Sequence, residues 1–368
     1  MKSKIEDNDL KISEELLNWY DANRRVLPWR ASSYKFSNPY HVLLSEIMLQ
    51  QTLVATVIPY FLNFIKKWPT IKHLASADFN SITSAWAGLG YYRRAKNLHE
   101  TAKIISSEYN GNIPNDMQKL LALPGIGNYT ASAITAIAFN SNANVVDGNI
   151  ERIFSRLYRI ETPLETSKNF IKNISSKHIP HTRNGDYAQA LMDLGATICI
   201  SKTPRCTKCP IIFACDVGAK DEATHYPKRL LKKIKNTRYG LFFCLLDNQG
   251  DLLFTTNDNR GLLANMDVIP SKGWNGNEGM MISPPSLVTK ELSLFNLEWE
   301  ILPNKITHIF SHFSLDCTIA YCFIKNKKDL QLKSPYRFVN KLDFKKLGLP
   351  SLMKKIINLI NKSKLDKC

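Results

Sequence analysis

Four cysteines, Cys199, Cys206, Cys209 and Cys215, lie in one short segment with six, two and five residues between them. Thiolates gathered that closely converge on a metal. The order C-x6-C-x2-C-x5-C suits a cubane iron–sulfur cluster better than a zinc knuckle, which usually repeats C-x2-C across a longer gap. Tetrahedral zinc is the competing occupant. Lys202, Arg205 and Lys208 alternate with these thiols, so the loop presents cations outward. A loop stapled into a basic surface is the favoured use, with a redox role as the alternative.

The charge balance points the same way. Lysine and arginine number 49 against 32 acidic residues, a net charge of +17, which favours a polyanionic partner with nucleic acid first. Taken alone this is weak, because many lysine-rich proteins bind no DNA. Residues Leu120-Leu121-Ala122-Leu123-Pro124-Gly125-Ile126-Gly127-Asn128-Tyr129-Thr130-Ala131 sharpen it. They form a helix–hairpin–helix signature in which Gly125 and Gly127 allow backbone conformations that a Cβ would obstruct. Consecutive N–H groups then approach a phosphate at the start of the next helix, where the dipole favours an anion. Such a hairpin grips backbone and reads no bases. An ordinary glycine-rich turn is the bland reading.

Two carboxylates could do chemistry on a nucleoside. Glu46 sits on a helix opened by Asn38-Pro39, whose apolar residues Tyr40, Leu43, Leu44, Ile47 and Met48 recur at helical spacing. It falls roughly 120° from the centre of that stripe, at the margin of the buried face. A glutamate there is usually solvated. Here Leu49-Gln50-Gln51-Thr52 follows at once and supplies three side chains able to hydrogen-bond base edges. A partly buried glutamate would keep a proton to donate near neutrality. Asp147 lies in Val145-Val146-Asp147-Gly148-Asn149, just before the stripe Ile150, Ile153, Phe154, Leu157 and Tyr158. A plain helix cap is the usual role for such an aspartate. The buried Val-Val approach and the nearby hairpin favour a carboxylate set to meet an electron-deficient sugar carbon, with Asn149 orienting it.

The elements that must position these groups change character along the chain. From about residue 10 to 215 the pattern is helical. A basic stretch, Lys228 to Lys235, reads as a solvated linker. Beyond it, Leu241–Leu246 and Asp251–Thr256 flank an Asp247-Asn248-Gln249-Gly250 turn as a buried hairpin, Thr318–Ile324 is a strand, and Leu352–Ile360 a closing amphipathic helix. The expected boundaries are a helical domain over 1–226, a basic linker over 227–236 and a smaller α+β domain over 237–368. No apolar run is long enough to span a bilayer, so no membrane partner is expected. The polar N-terminus excludes an ordinary secretory signal. The remaining cysteines, Cys244, Cys317, Cys322 and Cys368, are scattered thiols of a reducing compartment, which makes the expected location the cytoplasm.

In order along the chain come Ser45-Glu46-Ile47-Met48-Leu49-Gln50-Gln51-Thr52, Gly88-Leu89-Gly90-Tyr91-Tyr92-Arg93, Leu123-Pro124-Gly125-Ile126-Gly127, Val146-Asp147-Gly148-Asn149, Met192-Asp193-Leu194-Gly195-Ala196 and the cysteines. Together they resemble the A/G-specific adenine DNA glycosylases of the helix–hairpin–helix, endonuclease III-like superfamily. The match runs from about Leu16 to Cys215 and more faintly to the end. The hairpin and the cysteine loop are shared with other branches; the run from Glu46 to Thr52 singles out the adenine enzymes. The resemblance implies a mainly α glycosylase domain with one [4Fe-4S] cluster on Cys199, Cys206, Cys209 and Cys215, followed by a Nudix-like domain. It implies a bacterial-type monomer that works on nucleoid double-stranded DNA, removing adenine opposite 8-oxoguanine or guanine.

In that family's mechanism Glu46 would protonate adenine at N7, Asp147 would stabilise the oxocarbenium sugar, and Glu46 would then activate water. This is the division of labour of glycoside hydrolysis by two carboxylates. The base must leave the stack, so Gln51 and Tyr91 match the wedging positions, with Thr52 and Leu89 beside the lesion. Arg25, Trp29 and Arg30 match residues lining the flipped adenine and lesion side, and Gln189 an adenine contact. Tyr129 stands where the bifunctional pyrimidine glycosylase/lyases carry the Schiff-base lysine, so a monofunctional enzyme is expected, with Lys119 and Lys168 as candidate slow substitutes. Phe310-Ser311-His312 matches the turn that inspects 8-oxoguanine: Phe310 as wedge, Ser311 bonding the lesion, His312 probing its edge. No hydrolase box of clustered glutamates is seen, which argues against pyrophosphatase activity. The family's Trp-Glu-Phe-Pro run is replaced by residues ending Met266-Asp267-Val268-Ile269-Pro270, which puts the packing of that strand in question. Leu53, where a polar residue is common, is a smaller departure. The rival readings are a glycosylase/lyase of the same superfamily and a non-enzymatic iron–sulfur DNA-binding protein.

Overall fold

Helical periodicity in the first two-thirds of the chain and long apolar runs in the last third give two different architectures. The computed structural model describes residues 2–31, 37–220, 222–230, 235–257, 262–263, 266–274, 297–310, 312–325, 327, 330, 332, 334–344, 347 and 349–363. The chain divides into two compact units, residues 1–79 with 93–232, and residues 80–92 with 233–368. In chain order the helices are α1 (Lys2–Asn23), α2 (Pro39–Leu49), α3 (Val54–Lys67), α4 (Ile71–Ala75), α5 (Phe79–Trp86), α6 (Arg93–Glu108), α7 (Met117–Leu121), α8 (Asn128–Phe139), α9 (Gly148–Leu157), α10 (Leu164–Ser175) and α11 (Asn184–Thr197).

Asn38 starts α2 by accepting hydrogen bonds from the Tyr40 and His41 N–H groups, with Pro39 in the first turn where its missing donor costs nothing. The helix is then buried almost all round. Tyr40, Val42, Leu43, Leu44, Ser45, Glu46, Ile47 and Met48 are all covered. Glu46 therefore sits inside the unit and not at the margin that its angular position suggests, because neighbours close on more than one face of α2. α8 is one of them. Its buried Ala131, Ser132, Ala133, Ala136 and Ala138 keep its surface low, so α2 and α11 both pack closely against it. α9 lies against α10 and α11, and α1 against α11.

The second unit is built on a mixed sheet of β1 (Asn236–Asp247), β2 (Leu252–Thr256), β3 (Asp267–Val268), β4 (Ser271–Lys272), β5 (Glu300–Ile301), β6 (Ile306–Ile309), β7 (Phe313–Ile324) and β8 (Tyr336–Val339). Its path runs β3-β2-β1-β7-β5, with β4 on β1, β6 on β7 and β8 on β2. β1 and β7 are parallel from Asn236 beside Phe313 to Asp247 beside Ile324. The expected hairpin forms, with Leu246 opposite Leu252 and the Asp247 carboxylate accepting from the Gln249 and Asp251 N–H groups in the turn. The unbroken apolar run of β1 follows from cover on both faces. Phe242, Cys244 and Leu246 join a core with Leu352, Met353, Ile356 and Ile360 of the closing helix α12 (Ser351–Lys362), while Leu241, Phe243 and Leu245 pack with Trp299.

Two sequence readings change here. Trp274 is buried against Phe242 and Phe310, so an aromatic just after β4 supplies packing in the region where the Trp-Glu-Phe-Pro run is missing. The basic stretch is tethered where it begins. The Lys228 carbonyl accepts from the Leu164 N–H (2.9 Å), and the Leu230 N–H donates to Glu165 (3.1 Å), both at the start of α10.

Candidate active site

The first unit brings together four helices and one loop around Glu46. Glu46, on α2, is only 5% exposed. Burial, reinforced by the charge of Asp147, pushes its carboxyl up to about 7 against the pull of a hydrogen bond from Tyr129 and the charge of Arg30. A glutamate held there is protonated in a large share of molecules at neutral pH, which suits a general acid. Tyr129 comes from the first turn of α8, and burial together with the two carboxylates raises its phenol well above its usual range. It stays a donor.

Asp147 is the cap of α9. One carboxylate oxygen accepts from the Ile150 N–H (2.8 Å) and the other from Asn149 Nδ2 (3.0 Å). The ordinary reading as a cap and the chemical reading thus coexist in one side chain: capping fixes the carboxylate while it remains half-buried and accessible. Asn149 is itself held, because Arg152 Nη2 donates to its Oδ1 (2.9 Å). Close approach of α11 completes this packing. A Cβ on Gly195 would lie 2.6 Å from the Cβ of Asn149.

Glu46 opens onto a cavity of about 50 Å³ whose wall includes Arg25, Trp29, Arg30, Gln189 and Met192. Trp29 packs edge-on against Phe61 at 5.3 Å, so it is both core and wall. Gln189 is buried and its amide donates to the Gly185 carbonyl one turn back on α11. Asp193, fully buried on α11, accepts from the Arg25 N–H (2.9 Å) and Nε (2.6 Å) and from both terminal nitrogens of Arg30 (2.7 and 2.8 Å). A cavity with a protonated acid, an indole face and an amide can take a flat heterocycle with hydrogen-bonding edges.

Comparison with known proteins identifies the family. Residues 44–176 match the model of the HhH-GPD superfamily base excision DNA repair proteins, and residues 241–359 match the NUDIX domain. The adenine DNA glycosylase of Buchnera aphidicola subsp. Baizongia pistaciae is 31% identical over 96% of this chain and 97% of its own. This chain belongs to the adenine DNA glycosylases. The human adenine DNA glycosylase is 29% identical over 96% of this chain and 74% of its own. Among solved structures, a thermostable thymine-DNA glycosylase superposes with a TM-score of 0.52 at 26% identity, covering 58% of this chain and 98% of that one. The chain is thus an enzyme of base excision repair, a hydrolase of N-glycosyl bonds.

Elsewhere in the glycosylase the cysteine loop closes a second cavity, of about 30 Å³, lined by Cys199, Cys206, Cys209 and Cys215 with Ile153, Leu194 and Ile211 among its apolar walls. None of the four thiols is in a disulfide. Among the described residues no group of three or more His, Cys, Asp or Glu side chains is placed to hold a metal ion. The four thiols nevertheless line one hollow, and as a donor set they fit an iron–sulfur cluster. Burial pushes the Cys209 thiol up to about 12 and raises Cys215, so without a compensating positive charge both stay protonated. Arg156, almost wholly buried, donates from Nη1 to Cys199 Sγ (3.3 Å) and to the Ile200 carbonyl (2.8 Å), and from Nε to the Tyr226 carbonyl (3.1 Å). Arg152 extends this cradle: its Nε donates to the Cys199 carbonyl (2.8 Å) and its Nη2 to the Gly195 carbonyl (2.8 Å).

The other proposed DNA contacts fall in different surroundings. Gly125 has φ +78°, and a Cβ there would lie 2.7 Å from Asn97; Gly127 has open space and an ordinary φ as the cap of α8. Only the first glycine is demanded by the backbone. Gln51 (φ 59°) and Tyr91 (φ 49°) are both exposed in the left-handed region, a strained state for such side chains. Thr52 is held by Arg94, whose guanidinium also donates to the Ile47 and Met48 carbonyls at the end of α2. Leu89 is buried in the second unit. Phe310 is half-buried and stacked on Trp274, with Phe313 4.8 Å away, so in this conformation it is part of an aromatic cluster and Ile309 is the exposed apolar side chain of the turn. His312 is exposed, and Ser311 lies outside the described residues. Sequence reasoning gave no part to Asp193, Arg94, Arg152 or Arg156. Asp193 and Arg94 stood in or beside quoted motifs, yet nothing in a linear pattern shows which charge is buried.

Proposed function

We propose that this adenine DNA glycosylase excises adenine paired with 8-oxoguanine or guanine from double-stranded DNA, by a monofunctional, two-carboxylate mechanism. The observation that carries the reading is Glu46: buried, bonded to Tyr129, within the electrostatic reach of Asp147, and tuned to about 7. The flipped adenine enters the cavity between Trp29 and Gln189, where Glu46 gives its proton to N7. As the C1′–N9 bond breaks, positive charge grows on the sugar and the capped Asp147 carboxylate stabilises it. Glu46, now ionised, takes a proton from the water that adds to C1′, and Asn149 and Arg152 keep Asp147 from turning away. Gln51 and Tyr91 fill the vacated space in the duplex, and His312 with Ser311 reads the opposite base. Cys199, Cys206, Cys209 and Cys215 would hold one [4Fe-4S] cluster, which when bound fixes the basic loop against α9 and α11.

Tyr129 supports the monofunctional reading, since a phenol forms no Schiff base. Lys168 is engaged by Glu151 at 3.2 Å. Single-turnover incubation with duplexes holding adenine opposite 8-oxoguanine, guanine, cytosine or thymine tests the proposal. Adenine release confined to the first two, leaving an intact strand that borohydride does not cross-link, is the expected result. Efficient nicking with borohydride trapping, or release opposite thymine at equal rate, would overturn it.

A further inference from the structure

Arg25 and Arg30 line the base cavity and both pair with Asp193, a fully buried carboxylate that carries none of the chemistry described above. Burying a carboxylate completely, even paired with two guanidiniums, is costly, so its retention near a catalytic acid needs a reason. Arg30 stands on the same cavity wall as Glu46. In a water-poor cleft a forked guanidinium takes whichever carboxylate it can meet with both nitrogens. It has taken Asp193, at 2.7 and 2.8 Å, on a side chain that is 0% exposed.

We propose that Asp193 is a positioning residue for the acid: by engaging both terminal nitrogens of Arg30 it keeps that cation off Glu46, so that Glu46 retains its proton. Asp193 also ties the Arg25 backbone and side chain to α11, fixing the loop between Arg25 and Arg30 as a wall of the cavity. The inference rests on Glu46 as the general acid. The charged and titratable groups facing Glu46 are Tyr129 from α8, Asp147 at the start of α9 and Arg30 from the loop, with Asp193 of α11 behind Arg30; Arg94 of α6 faces the carbonyls at the end of α2. Burial and Asp147 raise the Glu46 carboxyl, while Tyr129 and Arg30 lower it. Removing Asp193 strengthens the last of these and also frees Arg25, which lines the same cavity, so the variant that lacks Arg30 as well is what assigns the shift to Arg30.

The test is the pH dependence of single-turnover adenine release by the full-length, cluster-loaded enzyme on an adenine:8-oxoguanine duplex. The wild type should lose rate as pH rises through about 7. Asp193→Asn should move that limb down by about one pH unit, a roughly tenfold lower rate at pH 8. Adding Arg30→Gln should abolish the shift. A fall by one constant factor at every pH, or an equal shift with and without Arg30, overturns the positioning role while leaving the acid assignment intact. A wild type with no alkaline limb overturns the acid assignment itself and this inference with it. Should Asp193→Asn not fold, Arg30→Lys decides: an ammonium cannot repeat the two-pronged grip on Asp193 and is freer to meet Glu46, so its limb should move downward, and no move or an upward one overturns the inference.

Discussion

Glu46 keeps its proton because α2 is covered on more than one face, and the same burial makes it a cost to the fold. Its carboxyl is pushed up to about 7 in the folded enzyme, against 4.5 for a free glutamate. The folded state therefore binds the extra proton between those values, and stability falls as pH rises across that window. Glu46→Gln should remove the fall, stabilising the helical unit by up to about 3 kcal/mol at pH 8 and by little at pH 4. Urea midpoints at the two pH values check this; equal gains at both would contradict it. Tyr129 acts in the opposite sense. It bonds to the ionised acid, so Tyr129→Phe should move the alkaline limb of adenine release upward, and a downward move would show that the phenol does not donate to Glu46. The sequence made both carboxylates legible, since each follows a recognisable helix signal. It left the depth of Glu46 hidden, because one helical stripe does not reveal that α8 and its alanines cover α2 from another side.

Helix ends are the devices of this site. The first turn of α9 holds Asp147 and Asn149, while Arg152 and Arg156 farther along the same helix clasp Cys199. A continuous hydrogen-bonded path thus runs from the Asp147 carboxylate to the first cysteine of the loop. Arg152→Gln should slow single-turnover excision by about tenfold or more while weakening duplex binding little, since a misplaced carboxylate harms the transition state and not the grip on phosphates. Equal losses in both would place Arg152 in binding instead. At the hairpin the two glycines part company. Gly125→Ala forces a Cβ into both a left-handed φ and the Asn97 side chain and should cost about 1–2 kcal/mol or more. Gly127→Ala should leave the urea midpoint nearly unchanged, because its Cβ meets open space, yet weaken DNA binding on the proposed reading of the hairpin as a phosphate grip. The motif spelled out both glycines alike; only backbone angles separate strain from clearance. Elements with strong start signals, such as α2 after Asn38-Pro39 and the β1–β2 hairpin around Asp247–Gly250, were readable in advance. Trp274 was not, because its role depends on a neighbour, Phe310, distant in sequence.

Across the whole molecule a net charge of +17 is the background on which the site works. Duplex affinity should fall log-linearly with salt, by about 0.9 in slope for each phosphate neutralised, and a flat response would exclude backbone-led binding. Fold class and family were legible because the two units use different hydrophobic periods and because the motifs fall in a fixed order. The buried arginines and Asp193 were illegible for the converse reason: exposure is a property of the assembled unit, and a charged residue in a motif looks the same whether solvated or sealed. What the assembled unit adds is the nearness of the Asp147 charge to the buried Glu46, from which the proposed mechanism infers one cleft shared by the two carboxylates. Single-turnover adenine release by Glu46→Gln, Asp147→Asn and the double variant measures that directly. Each single change should cost on the order of 10³-fold, and the double should be no slower than the worse single, as for groups acting in one step. Losses that multiply in the double variant would mean that the two carboxylates act independently, and would contradict the shared cleft.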